Sequence, residues 1–406
     1  MIEIFSNNKT IYGSIDLETS KSISNRLLII EEFCKTKFEI QNLSNAKDTK
    51  ILNKILNSFE TKKGINCEDA GTALRFALAF LATKQGVWEI SGSKRMHKRP
   101  IKPLIDCLVE LGAEIKYLEN EGFPPIEIKS KKLVGRKLTL PGDISSQFIS
   151  ALLMIAPAIE NGLTIEITSK VLSKPYIGMT LDLMSEFGIE SSWENNLIKI
   201  EEQDYLGKNI KVENDWSAAS FWYSFLALSK SGEIKIPNLY ASSVQGDSVL
   251  SNIYSKLGIK TEFNESSIIL SKTKTIAKEI ELDLSNYPDL ALPIIVTCCG
   301  LGIKTNLKGL ESLKIKESNR LECIKKELKK FNVISYISDS SIKIKENQNI
   351  LQPTSTIESH NDHRIAMSIA PLCMKVDSIK FADKEVVNKS YPKFWEDFDR
   401  VSKDNN

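Results

Sequence analysis

The chain has 406 residues, 42% of them apolar, and carries 54 basic against 52 acidic residues for a net charge of +2. So even a balance excludes a chain coated throughout for nucleic acid, no apolar run is long enough to span a membrane, and the length suggests two or more domains. The opening MIEIFSNNKTIYGSI has no basic stretch followed by an apolar run, so it does not read as a signal peptide and a cytoplasmic protein is expected.

The first predicted helix lies in SKSISNRLLII, where Ser20 is a good N-cap and apolar residues follow at helical spacing. Lys21 and Arg26 sit early in it, although a cation near a helix N-terminus is unfavourable by roughly 0.3–1 kcal/mol. A bound anion would reverse that cost; solvated surface charge is the plainer explanation for the pair taken alone. Five later segments repeat the pattern of a polar cluster followed by an apolar run: EDAGTALRFALAFLA, DISSQFISALLMIAP, NDWSAASFWYSFLAL, NYPDLALPIIVTCCG and HNDHRIAMSIAPLCM. Thr72, Ser145, Ser217, Asp289 and Asp362 mark them at intervals of 73, 72, 72 and 73 residues, while Ser22 precedes Thr72 by only 50. That period is too long for a common solenoid and fits one compact unit used six times.

Strand-like stretches fall between these helices: GVWEISG, PPIEIKS, KLTLPG, LTIEIT, NLIKIEE, GEIKIPN, SIIL, IKTNLKG and SIKIKE. A second helix recurs in PIKPLIDCLVELGAEI, YIGMTLDLMSEFGIE, SVLSNIYSKLGIK and NRLECIKKELKKFNV, each ending near a Gly or Asn suited to a C-cap. The class is therefore α/β, with two domains of three units each. The seven cysteines (Cys34, Cys67, Cys107, Cys298, Cys299, Cys323 and Cys373) are odd in number, form no CxxC and mostly occupy apolar segments, as reduced packing residues do.

Helix N-termini favour anions, and the polar clusters add suitable side chains there. Lys21, Ser22 and Arg26 open the first helix, Ser145, Ser146 and Gln147 the third, and His363 and Arg364 the sixth. SGSKRMHKRPIKP adds Lys94, Arg95, Lys98 and Arg99, KIKESNRL adds Lys316, Glu317 and Arg320, and VVNKSYPKF adds Lys389. Convergence of these groups would bind a multiply anionic small molecule. Asp289 and Glu317 suit acid–base work, or equally a helix cap and a counter-ion. His360 and His363 stand three apart without a third ligand, so no metal is expected. The absence of a Walker A or GxGxxG motif argues against a nucleotide cofactor.

SKSISNR, AGTALR, RMHKRPI, SSQFISALLM, SKPYIGMTLDLMSEFG, KIKESNRL, NDHRIAM and NKSYPKF, taken in order, resemble the motifs of the EPSP synthase (3-phosphoshikimate 1-carboxyvinyltransferase) family nearly end to end. The resemblance implies a monomer of two domains, each an inside-out α/β barrel of three βαβαββ units. It places 20–214 on the shikimate 3-phosphate side, and 1–19 with 215–406 completing a phosphoenolpyruvate site in the interdomain cleft. It also implies enolpyruvyl transfer to the 5-hydroxyl of shikimate 3-phosphate, without a cofactor. By resemblance Lys21, Ser22, Arg26, Ser145, Ser146, Gln147, Ser173, Tyr176, Asp289, Ser312 and Lys316 hold shikimate 3-phosphate. Lys21, Gly71, Arg95, Gln147, Arg320, Arg364 and Lys389 hold phosphoenolpyruvate, Gly71 by leaving room for it. Asp289, Glu317, Lys21 and His363 take the catalytic roles.

Four positions depart from the family pattern. Glu18 and Thr19 stand where Pro-Gly is usual, Asp69 where Asn is common, and Ser312 where Asn is frequent. The sister enzyme acting on UDP-N-acetylglucosamine commonly has a Cys in the loop matching SGSKRMHKRP, which holds none here. The SSQ and SKPY motifs also favour shikimate 3-phosphate. A non-catalytic binder of phosphate or RNA ends is the remaining alternative, disfavoured by the near-zero net charge and the intact set of Lys21, Asp289, Glu317, Arg320, Arg364 and Lys389.

Overall fold

The computed structural model describes residues 1–129, 131–346 and 349–402. The chain forms two compact units, one of Thr19–Val212 and one of Met1–Glu18 with everything from Glu213 onward.

In the unit Thr19–Val212, the helices α1 (Lys21–Glu31), α2 (Gly71–Ala82) and α3 (Ser146–Ile155) are buried on almost every face, α2 at every residue. Helices without a polar face belong at a centre, and these three pack on one another. Around them lie the helices Lys47–Leu56, Lys102–Glu110 and Lys174–Glu186. One four-stranded sheet has the order Gly64–Asn66, Val87–Ser91, Ile126–Lys129, Glu114–Tyr117, and a second the order Lys137–Leu140, Leu163–Ile167, Leu197–Ile200, Ser191–Glu194. In both, the first two strands are parallel and the remaining pairs antiparallel. Alternate residues such as Trp88 and Ile90, or Leu138 and Leu140, are buried between exposed neighbours. Each sheet thus covers helices with one face and meets solvent with the other. Ile40–Gln41 and Ile210–Lys211 form a short parallel pair.

The second unit repeats the plan around α4 (Trp216–Leu228), α5 (Ala291–Leu301) and α6 (His363–Ile369), which also pack on one another. Its two larger sheets run Thr10–Ser14, Ser231–Pro237, Ser267–Lys272, Ile259–Phe263 and Glu279–Asp283, Lys304–Lys308, Ser341–Ile344, Ser335–Ile337. The strand directions match those of the first unit. Ile2–Phe5 pairs antiparallel with Ser378–Phe381, which Ile357 extends by a parallel bridge.

The six polar-then-apolar segments are these six central helices, and the nine strand-like stretches are strands; Ser130, the last residue of PPIEIKS, lies outside the described residues. The repeat is a βαβαββ unit, complete in the four larger sheets and abbreviated in the two short ones. The second helices end as their sequences suggest, with left-handed φ at Gly112 (115°), Gly188 (83°), Gly258 (85°) and Asn332 (65°). Asp289 lies in a 3-10 turn, Pro288–Leu290, that leads into α5. All seven cysteines are free. Burial, then the nearby Glu110 and Asp106, push the Cys107 thiol up to about 12, so it is no nucleophile. Among the described residues no helix is long and apolar enough to cross a membrane.

Two glycines of one repeat should respond to alanine in opposite directions. Gly188→Ala forces an L side chain to φ 83° with its Cβ 3.0 Å from Leu206 Cδ1, and should lower stability by about 1–2 kcal/mol. Gly178, inside the helix Lys174–Glu186, would meet nothing within 4 Å, and Gly178→Ala should raise stability by about 0.5–1 kcal/mol. Urea unfolding of both variants beside the parent checks the signs.

Candidate active site

The unit Thr19–Val212 gathers cations at the starts of its central helices. Ser20 caps α1, accepting the Ile23 N–H at 3.3 Å, and Lys21 Nζ lies 3.3 Å from Oδ2 of the buried Asp48. That carboxylate offsets the cost of Lys21 at a helix N-terminus, a partner the sequence did not suggest. Arg26 is 2% exposed. Its guanidinium donates to Thr180 Oγ1 at 2.7 Å, the Ser22 carbonyl at 2.9 Å, Ser150 Oγ at 3.2 Å and the Tyr176 carbonyl at 3.0 Å. Four of the five N–H donors a guanidinium carries are thereby used. Arg26 thereby ties α1 to α3 and to the helix Lys174–Glu186. Burial pulls its pKa down to about 10, against a small opposing effect of Tyr176.

At the start of α2, Ala70 cannot cap, and no side chain does so. A Cβ built on Gly71 would lie 2.3 Å from Arg99 Nη1 and 2.7 Å from Arg75 Nη1. Two guanidinium groups therefore converge on one uncapped helix end, and a side chain at 71 would push their ends aside. Arg75 Nη1 also donates to Gln147 Oε1 at 2.7 Å, and Gln147 Nε2 to Thr72 Oγ1 at 3.1 Å. The start of α3 is thus joined to that of α2, and Ser145 caps α3 through the Gln147 N–H at 3.4 Å. Ser146, in the first turn of α3, and Ser173 are buried, Ser173 with a left-handed φ of 56° before Tyr176.

Within SGSKRMHKRP the structure separates the cations. Arg95, the residue expected to bind ligand, is exposed, whereas Arg99 is buried against Gly71. The 3-10 turn Met96–Lys98 causes the difference, since it turns Met96 and Arg99 inward and leaves Arg95 outside. Asp69 accepts the Ser93 hydroxyl, which stitches this loop to the start of α2.

The second unit holds a denser cluster. Arg320, 2% exposed, donates through Nε to Asp362 Oδ2 at 2.8 Å, through Nη1 to Asp289 Oδ1 at 3.2 Å and through Nη2 to Glu317 Oε2 at 2.9 Å. Burial opposes its charge, but Asp362, Glu317 and Asp289 together raise its pKa above the ordinary value. Arg364 Nη2 reaches Asp289 Oδ2 at 3.0 Å and its Nη1 the Asp289 carbonyl at 3.1 Å. Lys389 Nζ pairs with Glu317 Oε1 at 3.0 Å. Asp362 is fully buried and caps α6 by accepting the Arg364 N–H at 3.0 Å. His363 is buried beside it, with Nδ1 at 3.9 Å from Asp362 Oδ1. Lys316 and Ser312 are half-buried on the segment before Arg320. Asp289 and Glu317 are therefore shared carboxylates, each held by two cations.

Asp247 is a residue the sequence did not single out. It accepts the Ser217 hydroxyl. Burial first, and then the charge of Asp289, push its carboxyl up to about 7, with Ser217 and Arg364 opposing. Among the described residues no three His, Cys, Asp or Glu side chains are grouped to hold a metal. His360 instead bonds to Glu327.

Residues 52–398 match the family model for EPSP synthase (3-phosphoshikimate 1-carboxyvinyltransferase). The chain is 42% identical over 389 residues to the 3-phosphoshikimate 1-carboxyvinyltransferase of Bacteroides fragilis, covering 95% of this chain and 94% of that one. It is 31% identical to the enzyme of that name from Histophilus somni, covering 97% of each. A solved EPSP synthase from Acinetobacter baumannii has the same fold, with a TM-score of 0.80 and 19% identity over 98% of this chain and 97% of that one.

Gly71→Ala should displace Arg99 and Arg75. Isothermal titration with phosphoenolpyruvate should show affinity reduced at least ten-fold, while the thermal midpoint stays within a few degrees. For Asp247 the sign follows from its raised folded-state value. Between about pH 4 and pH 7 the folded protein holds a proton that the unfolded chain, with an ordinary carboxyl near 3.9, has lost. Stability therefore falls as pH rises through that window. Asp247→Asn should be the more stable protein at pH 8, on the order of 2 kcal/mol, and that advantage should vanish by pH 4 in chemical-denaturation curves.

Proposed function

The chain belongs to the EPSP synthase family, and from this premise we propose that it transfers the enolpyruvyl group of phosphoenolpyruvate to the 5-hydroxyl of shikimate 3-phosphate, releasing phosphate. The observation that carries the reading is the composition of the two clusters. One presents Arg75 and Arg99 at the uncapped, amide-bearing end of α2. The other presents Arg320, Arg364 and Lys389 around two shared carboxylates. Both substrates carry a phosphate and a carboxylate, which such donors match.

The chemistry requires that C3 of phosphoenolpyruvate gain a proton while the 5-hydroxyl oxygen bonds to C2 and loses its own. The tetrahedral adduct then expels phosphate as C3 gives up a proton. Asp289 is the base for the hydroxyl, and Glu317 exchanges the proton at C3 with Lys21 and His363 assisting. The cations beside these carboxylates orient their oxygens. Phosphoenolpyruvate is held by Lys21, Gln147, Arg320, Arg364 and Lys389, and by Arg99 in place of Arg95. Shikimate 3-phosphate is held by Ser22, Ser145, Ser146, Gln147, Ser173, Tyr176, Ser312 and Lys316, with Arg26 offering one remaining N–H. In this reading the two units, 20–214 and 1–19 with 215–406, close on both substrates, and the protein works as a cytoplasmic monomer.

The test is phosphate release by the purified chain with both substrates, with the enolpyruvyl product confirmed by mass. Lys21→Met and Arg364→Ala should each lower kcat/KM by the equivalent of about 2–5 kcal/mol while circular dichroism is unchanged. Arg99→Ala should raise KM for phosphoenolpyruvate at least ten-fold, and Arg95→Ala should leave it within two-fold. Binding of both substrates without turnover would instead support the non-catalytic reading.

A further inference from the structure

The helix Arg320–Lys329 grips the segment leading into α6 at two levels. At its first residue, Arg320 holds Asp362. Two turns later Glu327, whose side chain is 0% exposed, holds the residues just before it. Its Oε1 accepts from His360 Nε2 at 2.8 Å. Its Oε2 accepts the Glu358 backbone N–H at 3.1 Å and lies 2.6 Å from Lys330 Nζ. Lys330 in turn donates to the Thr356 carbonyl at 2.7 Å. Positions 356, 358 and 360 are thereby tied to one turn of helix.

The backbone beyond them is unusual. His360 and Asn361 have φ of 53° and 56°, two consecutive left-handed residues of which neither is glycine. L side chains rarely adopt that conformation, and it persists only where the surroundings impose it. This double turn ends on Asp362, which accepts from Arg320, Ser318 and the Arg364 N–H. Arg364, two residues on, reaches Asp289. A buried carboxylate is costly to leave unmatched, so Glu327, which accepts from His360 and from the Glu358 N–H, specifies that segment's path closely.

We propose that Glu327 and His360 are a positioning pair for the enolpyruvyl-transfer site: their bond imposes the left-handed turn at 360–361 that delivers Asp362 to Arg320 and Arg364 to Asp289. Neither residue touches substrate in this proposal, which rests on the function proposed above. The bond needs only an N–H on Nε2, present in the imidazolium and in one neutral tautomer alike. A glutamine at 360 can offer an N–H to the same oxygen, and a leucine cannot.

His360→Leu and His360→Gln in the full chain separate positioning from mere packing. His360→Leu should raise KM for phosphoenolpyruvate at least ten-fold and leave KM for shikimate 3-phosphate within two-fold, whereas His360→Gln should restore the former to within three-fold of the parent. Equal losses in the two variants, or an unchanged KM for phosphoenolpyruvate in His360→Leu, would overturn the proposal. Hydrogen–deuterium exchange without substrate supplies a readout independent of activity. Amides of 359–364 should exchange at least ten-fold faster in His360→Leu and at the parent rate in His360→Gln; parental exchange in both would again overturn it. If the parent lacked turnover but the exchange pattern held, the functional reading would fail while the role of the pair in shaping this turn stood.

Discussion

A guanidinium buried to 2% exposure, that of Arg320, lies within the second unit, and its need for compensation organises what surrounds it. Removing such an ion from water costs several kcal/mol unless geometry and hydrogen bonds repay it. Arg320 meets three carboxylates, from α6's cap, from the turn before α5 and from its own approach segment. Because Asp289 also serves Arg364, and Glu317 also serves Lys389, the groups form one network rather than separate pairs. Fixing Arg320 therefore fixes the acid–base candidates and the neighbouring cations together, before any ligand binds. Electrostatic preorganisation of this kind supplies much of the catalytic advantage of enzymes.

The unit Thr19–Val212 meets the same problem differently. Lys21 has a carboxylate partner in Asp48, but Arg26 is satisfied by hydroxyl and carbonyl oxygens, and Arg75 by Gln147 with the Phe148 ring 5.2 Å beneath it. At Gly71 two guanidinium groups share one small space beside the end of α2. Like charges so arranged favour an anion. The central helices are buried on almost every face, and Lys21, Arg26, Arg75 and Arg364 lie in the first two turns of theirs.

The departures from the family pattern are accommodated locally. Asp69 accepts the Ser93 hydroxyl and so tethers the loop that carries Arg99. Neither Glu18 nor Thr19 takes a positive φ, so the conformational freedom of glycine is not required there. Ser312 stays half-buried within the 3-10 turn Glu311–Ile315.

From sequence alone, the 72–73-residue period, the six buried helices, the alternating strands and the left-handed caps at Gly112, Gly188, Gly258 and Asn332 were legible. These features follow from local propensity and from periodicity along the chain, which neighbouring residues express. Motif order likewise exposed Lys21, Asp289, Glu317, Arg320, Arg364 and Lys389. Partnership was not legible. Nothing near Lys21 in sequence announces Asp48, and nothing distinguishes Arg95 from Arg99 until a 3-10 turn sends one to solvent and the other over Gly71. Asp247 reads as an ordinary acidic residue, and His360 as one of two histidines lacking a third ligand, until burial and long-range contacts give the first a shifted charge and the second a carboxylate partner. Charge state and orientation depend on solvent exclusion and on groups tens to hundreds of residues away. For that reason the fold and the kinds of residue in the clusters were written along the chain, while their electrostatics arose only when distant segments packed within each unit.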